Sequence, residues 1–388
     1  MLYFLLPEIR DIINIESINI LHGNNDVIIS KSLSKYLNTL KTEIDDYKTT
    51  WDIYKKYTNI YEYIHTNIPY TKIAVCKYKP LSRAFYKLIE IYQSLNILDN
   101  TTSPIKSFHL AEGPGGFIEA LDYLRCNDED IYYGITLIDE KDNNVPGWNK
   151  GKHFLSKHNN IVIEKGADNT GNLFNVENLW YCYNNYNNSM ELITGDGGFD
   201  FSLDFNKQEI LSINLIFSQI CYAIAMQKIG GSFVLKIFDI FSEATIDMLY
   251  LLSCFYQEVY VTKPNTSRLA NSEKYIVCKN FKLENTYEFI NKFSSLFSVI
   301  NDNKPIRRFL NINIPYFYIN KIEDVNAIFG QQQLENIIAT LYLLDNNKPD
   351  KIESLKKNNI QKCIQWCSKY KLPHNNNIFY SNTFLPNL

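Results

Sequence analysis

Between about residue 105 and residue 282 the chain alternates short apolar runs with amphipathic stretches, and this rhythm constrains the fold more than any other feature. The runs are SFHLAEG (107–113), IYYGITLI (131–138), NIVIEKG (160–166), MELITGDG (190–197), SFVLKIF (232–238), EVYVTK (258–263) and EKYIVCKNF (273–281). They are rich in Ile, Val, Tyr and Phe and are bounded by Gly, Asn, Asp or Pro, the mark of strands. Helix-like stretches lie between them at 116–125, 172–186, 206–228 and 243–257. Near-continuous apolar strands separated by helices predict an α/β, doubly wound sheet of seven strands, mostly parallel and covered on both faces. The last two strands are separated only by TKPNTSRLANS (262–272), too short for a parallel crossover, so they should form an antiparallel hairpin at one edge.

The flanks read differently. Residues 1–70 are expected to be an N-terminal helical extension, residues 71–282 the central domain, and residues 283–388 a mainly helical C-terminal region. SRAFYKLIEIYQSLNI (82–97) reads as an amphipathic helix just ahead of the first strand.

Charge is unevenly spread. Residues 105–250 carry twenty acidic residues against ten basic, while the whole chain is only −3 with a pI near 6.1. This excludes a basic protein that coats nucleic acid, and an acidic centre suits a cationic ligand better than a polyanion. Apolar runs such as LIFSQICYAIAM (215–226) fall short of a membrane span, and 211–226 reads as a core helix. MLYFLLPEIRD lacks the basic start and small-residue cleavage site of a signal peptide. The eight cysteines have no pairing pattern, which points to an intracellular, reducing location, cytoplasm or nucleus. Cys363 and Cys367, four apart, have no companion His or Cys at metal spacing, so no metal site is expected.

Five features carry chemistry. FHLAEGPGGF (108–117) turns from the first strand into a helix through Gly113, Pro114, Gly115 and Gly116, at the carboxyl edge where such sheets bind ligands. It is neither G-x-G-x-x-G nor a P-loop, and the acidic Glu112 at the turn favours a ligand with positive charge. Asp196 ends the fourth strand beside two glycines. Lys236 interrupts the apolar strand VLKIF, where an unpaired ammonium would be costly, and Asp196 on the neighbouring strand is the obvious partner. Lys87, read alone, is an ordinary helix lysine, and Glu273 an edge-strand charge.

Taken together, SRAFYKL, GPGGF, the Asp after the fourth strand, LKIF and S-x-K-Y-I-V with its leading Glu resemble the FtsJ-type RNA ribose 2′-O-methyltransferases over about residues 75–282. AEGPGGFIEAL, GITL, ADNTGNL and GDGGFDFS followed by Gln208-Glu209 look closer to the cap-specific branch found in eukaryotes and large DNA viruses. The resemblance implies a Rossmann-like methyltransferase sheet, S-adenosyl-L-methionine as cofactor, and a capped mRNA substrate, with a capping-machinery partner as a further expectation and no membrane. It places Lys87, Asp196, Lys236 and Glu273 in a catalytic Lys-Asp-Lys-Glu tetrad, with Lys236 as general base. It places Glu112, Gly113, Pro114, Gly115, Gly116, Phe117, Asp168 and Asp196 at the cofactor, Asp168 being matched to the residue that binds the adenine amine. The chain departs from the bacterial members at His109, where they carry an acid, at Gly113, where many have Ala, and near Asp139, where the acid after the second strand does not align cleanly.

A ribose 2′-hydroxyl is a weak nucleophile until its proton is removed, so the implied reaction needs a base in near-attack geometry. A lysine can be that base only in its neutral form, which burial beside a second cation favours. Two lysines and two carboxylates are nearly neutral together, so the group can be buried without a large net charge.

Overall fold

The computed structural model describes residues 1–24, 26–98, 101–138, 147–198, 205–302, 304–346 and 348–375. Ten strands are defined among them: β1 (Leu2–Leu5), β2 (Ile18–His22), β3 (Lys106–Leu110), β4 (Ile131–Ile135), β5 (Ile161–Glu164), β6 (Met190–Gly195), β7 (Gln227–Ile237), β8 (Tyr256–Lys263), β9 (Lys274–Phe281) and β10 (Ile306–Leu310). The α-helices are α1 (Lys31–Glu43), α2 (Lys48–Thr58), α3 (Ala84–Ser94), α4 (Gly116–Arg125), α5 (Lys152–Leu155), α6 (Val176–Tyr186), α7 (Gln208–Met226), α8 (Glu243–Phe255), α9 (Tyr287–Ile300), α10 (Tyr316–Asn346) and α11 (Pro349–Lys369).

The main sheet has the order β1-β8-β9-β7-β6-β3-β4-β5. β5, β4, β3, β6 and β7 run parallel, and β9 is antiparallel to both β7 and β8. All seven strands expected from the sequence are present. The β8–β9 hairpin is not at the edge, however: β9 is inserted between β7 and β8, and β1 pairs antiparallel with β8 as an eighth strand. The reason is the exposed edge. β8 would otherwise leave a row of backbone groups unpaired, and the apolar LYFL segment covers it. From β3 the chain winds outward through β4 to β5, then returns to β6 on the other side of β3. The order therefore reverses between β3 and β6, and the carboxyl ends of these two strands frame the crevice where open α/β sheets place their ligands.

Burial follows the apolar periodicity. Phe108 and Leu110 of β3, Leu192 and Ile193 of β6, and Phe233, Val234 and Leu235 of β7 are fully buried, because helices cover both faces. α7 has the length and composition to cross a bilayer, contrary to the expectation that no segment reaches that size, yet it is mostly buried as a core helix. Side-chain caps set helix starts locally: Asn175 accepts from Glu177 N at α6, and Ser242 from Thr245 N at α8.

The two flanks contain helices and also strands. β2 and β10 form a small antiparallel ribbon, so the N- and C-terminal segments meet each other away from the main sheet. On one face, Tyr63, Ile64 and Val75 pack with α3, α4 and the Ile360, Cys363, Trp366 and Cys367 face of α11. On the other face, α6 to α10 share a core with β2.

Candidate functional site

The crevice between β3 and β6 collects most of the residues singled out in the sequence. Glu112 follows β3 and is nearly inaccessible. Its Oε1 accepts the backbone N–H groups of Phe117 (2.7 Å) and Ile118 (3.0 Å) at the start of α4. In a phosphate-binding turn those donors would face the ligand. Here the chain's own carboxylate consumes them, so the turn is closed to an anion. Burial pushes the Glu112 carboxyl up to about 8, against the pull of the two N–H groups, and the Asp196 charge adds to the rise. A buried carboxyl with no cation among the groups acting on it, set beside Asp196, suits a cationic ligand, which would favour its ionised form.

The glycines serve packing as much as ligand approach. Gly115 sits in the left-handed region at φ 112°, and a Cβ on Gly116 would lie 2.1 Å from Ser82 Oγ. Gly116 thus lets the start of α4 meet the segment leading into α3. Gly113 and Pro114 form the preceding step of the turn. The Phe117 side chain is fully buried against Tyr275, with ring centroids 6.2 Å apart, so it braces the turn from inside the core. His109 is also buried, bonded to Ser107 (2.9 Å) and Thr194 (2.8 Å), and burial lowers its pKa to about 3. It is a neutral link between β3 and β6, which explains how this chain does without an acid there. Asp139 lies outside the described residues.

Asp168 sits in the loop after β5. Its Oδ1 accepts from Thr170 N, Thr170 Oγ1 and Asn178 Nδ2, and its Oδ2 from Asn175 Nδ2 (2.7 Å). Burial is the largest single influence and works against the charge, but these donors together outweigh it and hold the carboxyl down at about 2. The loop docks beside the one after β4 through Ile138 N to Thr170 O (2.7 Å), and a Cβ on Gly171 would strike Thr136 O. Oδ2 retains room for a second donor.

The four polar residues expected together do come together, as two ion pairs. Lys236 Nζ lies 3.2 Å from Asp196 Oδ1 and donates to the Asp196 carbonyl at 2.7 Å. Lys87 Nζ lies 2.8 Å and 2.9 Å from the two oxygens of Glu273. All four side chains are 13–18% exposed, enough to be reached from the crevice and too little to be freely solvated. Burial alone would raise Glu273, but Lys87, Lys236 and Lys263 hold it well below the usual carboxylate range. The role of Lys236 among the cations acting on Glu273 places both pairs in one electrostatic group.

Sequence reasoning missed three residues that shape this group. Tyr275 is the cross-strand partner of Lys236, lies two residues beyond Glu273, and donates to Asp196 Oδ1 at 2.9 Å. Its ring passes 5.9 Å from Lys87 Nζ, so it touches both pairs. The period of two from Glu273 was the available signal. Gln219, buried in the apolar run of α7, accepts from Gly197 N (3.1 Å) and so fixes the turn after Asp196. Lys263 is fully buried, bonds the carbonyls of Asn271 (2.6 Å) and Glu273 (2.7 Å), and burial beside Lys274 lowers its pKa to about 7. Gly198 completes the enclosure, since a Cβ there would come within 3.2 Å of Lys236 Nζ.

Residues 80–281, about half of the chain, match the model of the FtsJ-like methyltransferase family. The chain is 24% identical to a Drosophila melanogaster protein named cap-specific mRNA (nucleoside-2′-O-)-methyltransferase 2, over 82% of this chain and 46% of that one. It is 27% identical to the Pongo abelii protein of the same name, over 88% and 45%. It is 34% identical to a Dictyostelium discoideum cap-specific mRNA (nucleoside-2′-O-)-methyltransferase 1 over a shorter stretch, 51% of this chain and 26% of that one. The chain spans less than half the length of these relatives.

Proposed function

The chain belongs to the FtsJ-like methyltransferase family, and on that premise we propose that it transfers a methyl group from S-adenosyl-L-methionine to the 2′-hydroxyl of a cap-proximal nucleotide of mRNA. The observation that carries the reading is the pairing of Lys236 with Asp196 and of Lys87 with Glu273 at the carboxyl end of the sheet. The cap-specific assignment is supported by relatives of that name whose similarity runs over 82–88% of the chain, well beyond the 80–281 segment. An intracellular, reducing location goes with this reading, and a partner from the capping machinery remains part of it.

The cofactor, when bound, supplies a methyl group on a positively charged sulfur that leaves as a neutral thioether. The residues that would hold it are Glu112 and the Gly113–Gly116 turn, with Phe117 bracing them, Asp168 through its free Oδ2 position, and Asp196. Lys236 in its neutral form accepts the hydroxyl proton on Nζ while the new O–CH₃ bond forms at the 2′-oxygen. Asp196 holds that amine by carboxylate and carbonyl at once, which fixes its direction without a mobile side chain. Lys87 and Glu273 orient the ribose and balance the charge that develops on the oxygen. Tyr275 keeps the Asp196 carboxylate turned toward the pair. These residues act by position and field, and a general base of this kind contributes about 10²–10⁴-fold.

The test is methyl transfer from labelled S-adenosyl-L-methionine to one short RNA in three forms: uncapped, capped, and capped with the first ribose methylated. Lys236→Ala serves as control. Transfer restricted to capped RNA and lost in the variant is the expected result. Equal transfer to uncapped RNA would move the substrate to ribosomal or transfer RNA, and no transfer with cofactor still bound would defeat the catalytic reading.

A further inference from the structure

Glu62 lies outside the family segment, in the short helical turn Glu62–Ile64, yet it is fully buried. A buried carboxylate needs partners. Thr66 Oγ1 and Asn59 Nδ2 donate to it, and Arg268 grips it with Nε (3.0 Å) and Nη2 (2.7 Å). Arg83 approaches from the other side, Nη1 at 3.7 Å. Burial would raise its pKa, but the two guanidinium groups hold it ionised, well below the usual carboxylate range. The positions of these arginines matter. Arg83 stands at the start of α3, one helical turn before Lys87. Arg268 stands in the β8–β9 loop, five residues before Glu273. Glu62 is therefore the counter-ion between the two elements that supply the Lys87–Glu273 pair.

The same seam carries further bonds. Arg83 Nη2 donates to Thr266 O (3.1 Å), and Glu90 of α3 accepts from Thr266 N (3.1 Å). Ser267 Oγ donates to Glu273 itself (2.8 Å). Gln333 of α10 donates to Ala270 O (2.9 Å). The loop is held to α3 in front of the pair, and Glu62 is the one contact in this seam that neutralises two like charges facing each other.

We propose that Glu62 is a positioning residue for the methyl-transfer site: it sets the 264–273 loop against α3 and so fixes the Lys87–Glu273 pair. This rests on the catalytic reading above and extends it to a residue beyond the family segment. Glu62→Gln keeps the shape but leaves Arg83 and Arg268 opposed without the carboxylate they share. The expected result is a kcat about 10²-fold lower, the loss typical of a misplacement on the order of 1 Å. S-adenosylhomocysteine affinity by calorimetry stays within twofold, and hydrogen–deuterium exchange rises in 264–273 and the first turn of α3. The double variant Glu62→Gln/Arg268→Gln removes the excess charge and regains at least tenfold over the single variant. Arg308→Gln, which breaks the Arg308–Asp247 pair elsewhere, lowers thermal stability and leaves kcat and 264–273 exchange unchanged. The proposal is overturned if exchange in 264–273 stays as in the parent protein, or if cofactor affinity and exchange across the whole sheet degrade alongside kcat. Should Glu62→Gln not fold, Glu62→Asp decides: retained charge at shorter reach must still raise exchange in 264–273, and parent-like exchange there would reduce Glu62 to a stability residue. Were the parent protein to methylate none of the RNAs, the activity reading would fail while the exchange data still judged the clamp.

Discussion

The two ion pairs of the site are built by different means. Lys236 and Asp196 stand on β7 and just past β6, adjacent parallel strands whose register places Leu235 beside Gly195. Their meeting follows first from backbone pairing of these strands, with the side chains of Gln219 and Tyr275 securing the turn and the carboxylate. Lys87 and Glu273 come from a helix and a loop that share no ladder. They are joined by side chains: Arg83, Glu90 and Thr266 in front, Glu62 and Arg268 to the side, Lys263 beneath. The sheet-built pair rests on elements from β6 to β9, whereas the side-chain-built pair also draws on segments from both flanks. A pair of the first kind suits the base proposed above, whose direction must be fixed, and one of the second kind suits the proposed contact with substrate.

The largest effect that sharpens this contrast should come from Lys236→Met. It removes the proposed proton acceptor from a site whose frame the sheet maintains, so transfer should fall by about 10²–10⁴-fold with cofactor affinity nearly unchanged. Activity within about tenfold of the parent would take the base role away from Lys236. Glu273→Gln should come next, at about 10²-fold, because it leaves Lys87 buried without its partner. If Glu273→Gln proved as severe as Lys236→Met, the division of labour between the two pairs would have to be abandoned.

A flank substitution tests the same contrast through stability. Trp366 of α11 is buried edge-on to Tyr86, the residue before Lys87, at 6.0 Å between centroids. Trp366→Ala should cost about 3–5 kcal/mol by denaturant unfolding. Because Tyr86 adjoins Lys87 and not Lys236, exchange should increase in α3 while β6 and β7 stay protected.

Legibility from the sequence divides along the same line. All seven strands, the turn after β3 and the partnership of Lys236 with Asp196 were readable because near-continuous apolar runs bounded by turn residues and one misplaced charge are local signals. The Lys87–Glu273 pair was reachable only through resemblance, since each residue alone is an unremarkable surface charge. Glu62, Arg268, Gln219 and Lys263 were not legible at all. A buried polar residue in an otherwise apolar or polar run has no periodicity of its own, and its partner is set by the tertiary fold, over 200 residues away for Glu62 and Arg268. The inserted position of β9 and the added strand β1 were missed for the same reason, because edge protection is decided by which distant segment finds the free edge.

A milder test concerns Tyr275, which bridges the pairs. Tyr275→Phe deletes the bond to Asp196 Oδ1 and keeps the ring beside Lys87 and Phe117. A hydrogen bond to a charged group contributes about 1.5–3 kcal/mol to stability, so the melting temperature should fall by a few degrees while kcat drops roughly tenfold. A drop matching Glu273→Gln would instead mean that Tyr275 controls both pairs.

The smallest effect, and the one most specific to the crevice, concerns Glu112. Its carboxyl titrates near 8 in the folded protein and near its ordinary value of 4.5 when unfolded. Between those limits the folded chain holds a proton that the unfolded chain has released, so stability falls as pH rises from about 4.5 to 8 and levels off above. Glu112→Gln carries no such titration, and its melting temperature should gain on that of the parent protein across this window. Ligand binding reads the same group with the opposite sign. A cation beside Glu112 favours the ionised carboxylate, so affinity for S-adenosyl-L-methionine should tighten as pH rises toward 8, and the Gln variant should lose that slope. S-adenosylhomocysteine has the same ammonium but a neutral sulfur. A slope confined to the sulfonium form would set Glu112 against the sulfur, equal slopes would set it against the ammonium, and no slope with either would mean that the buried carboxylate serves only to close the start of α4.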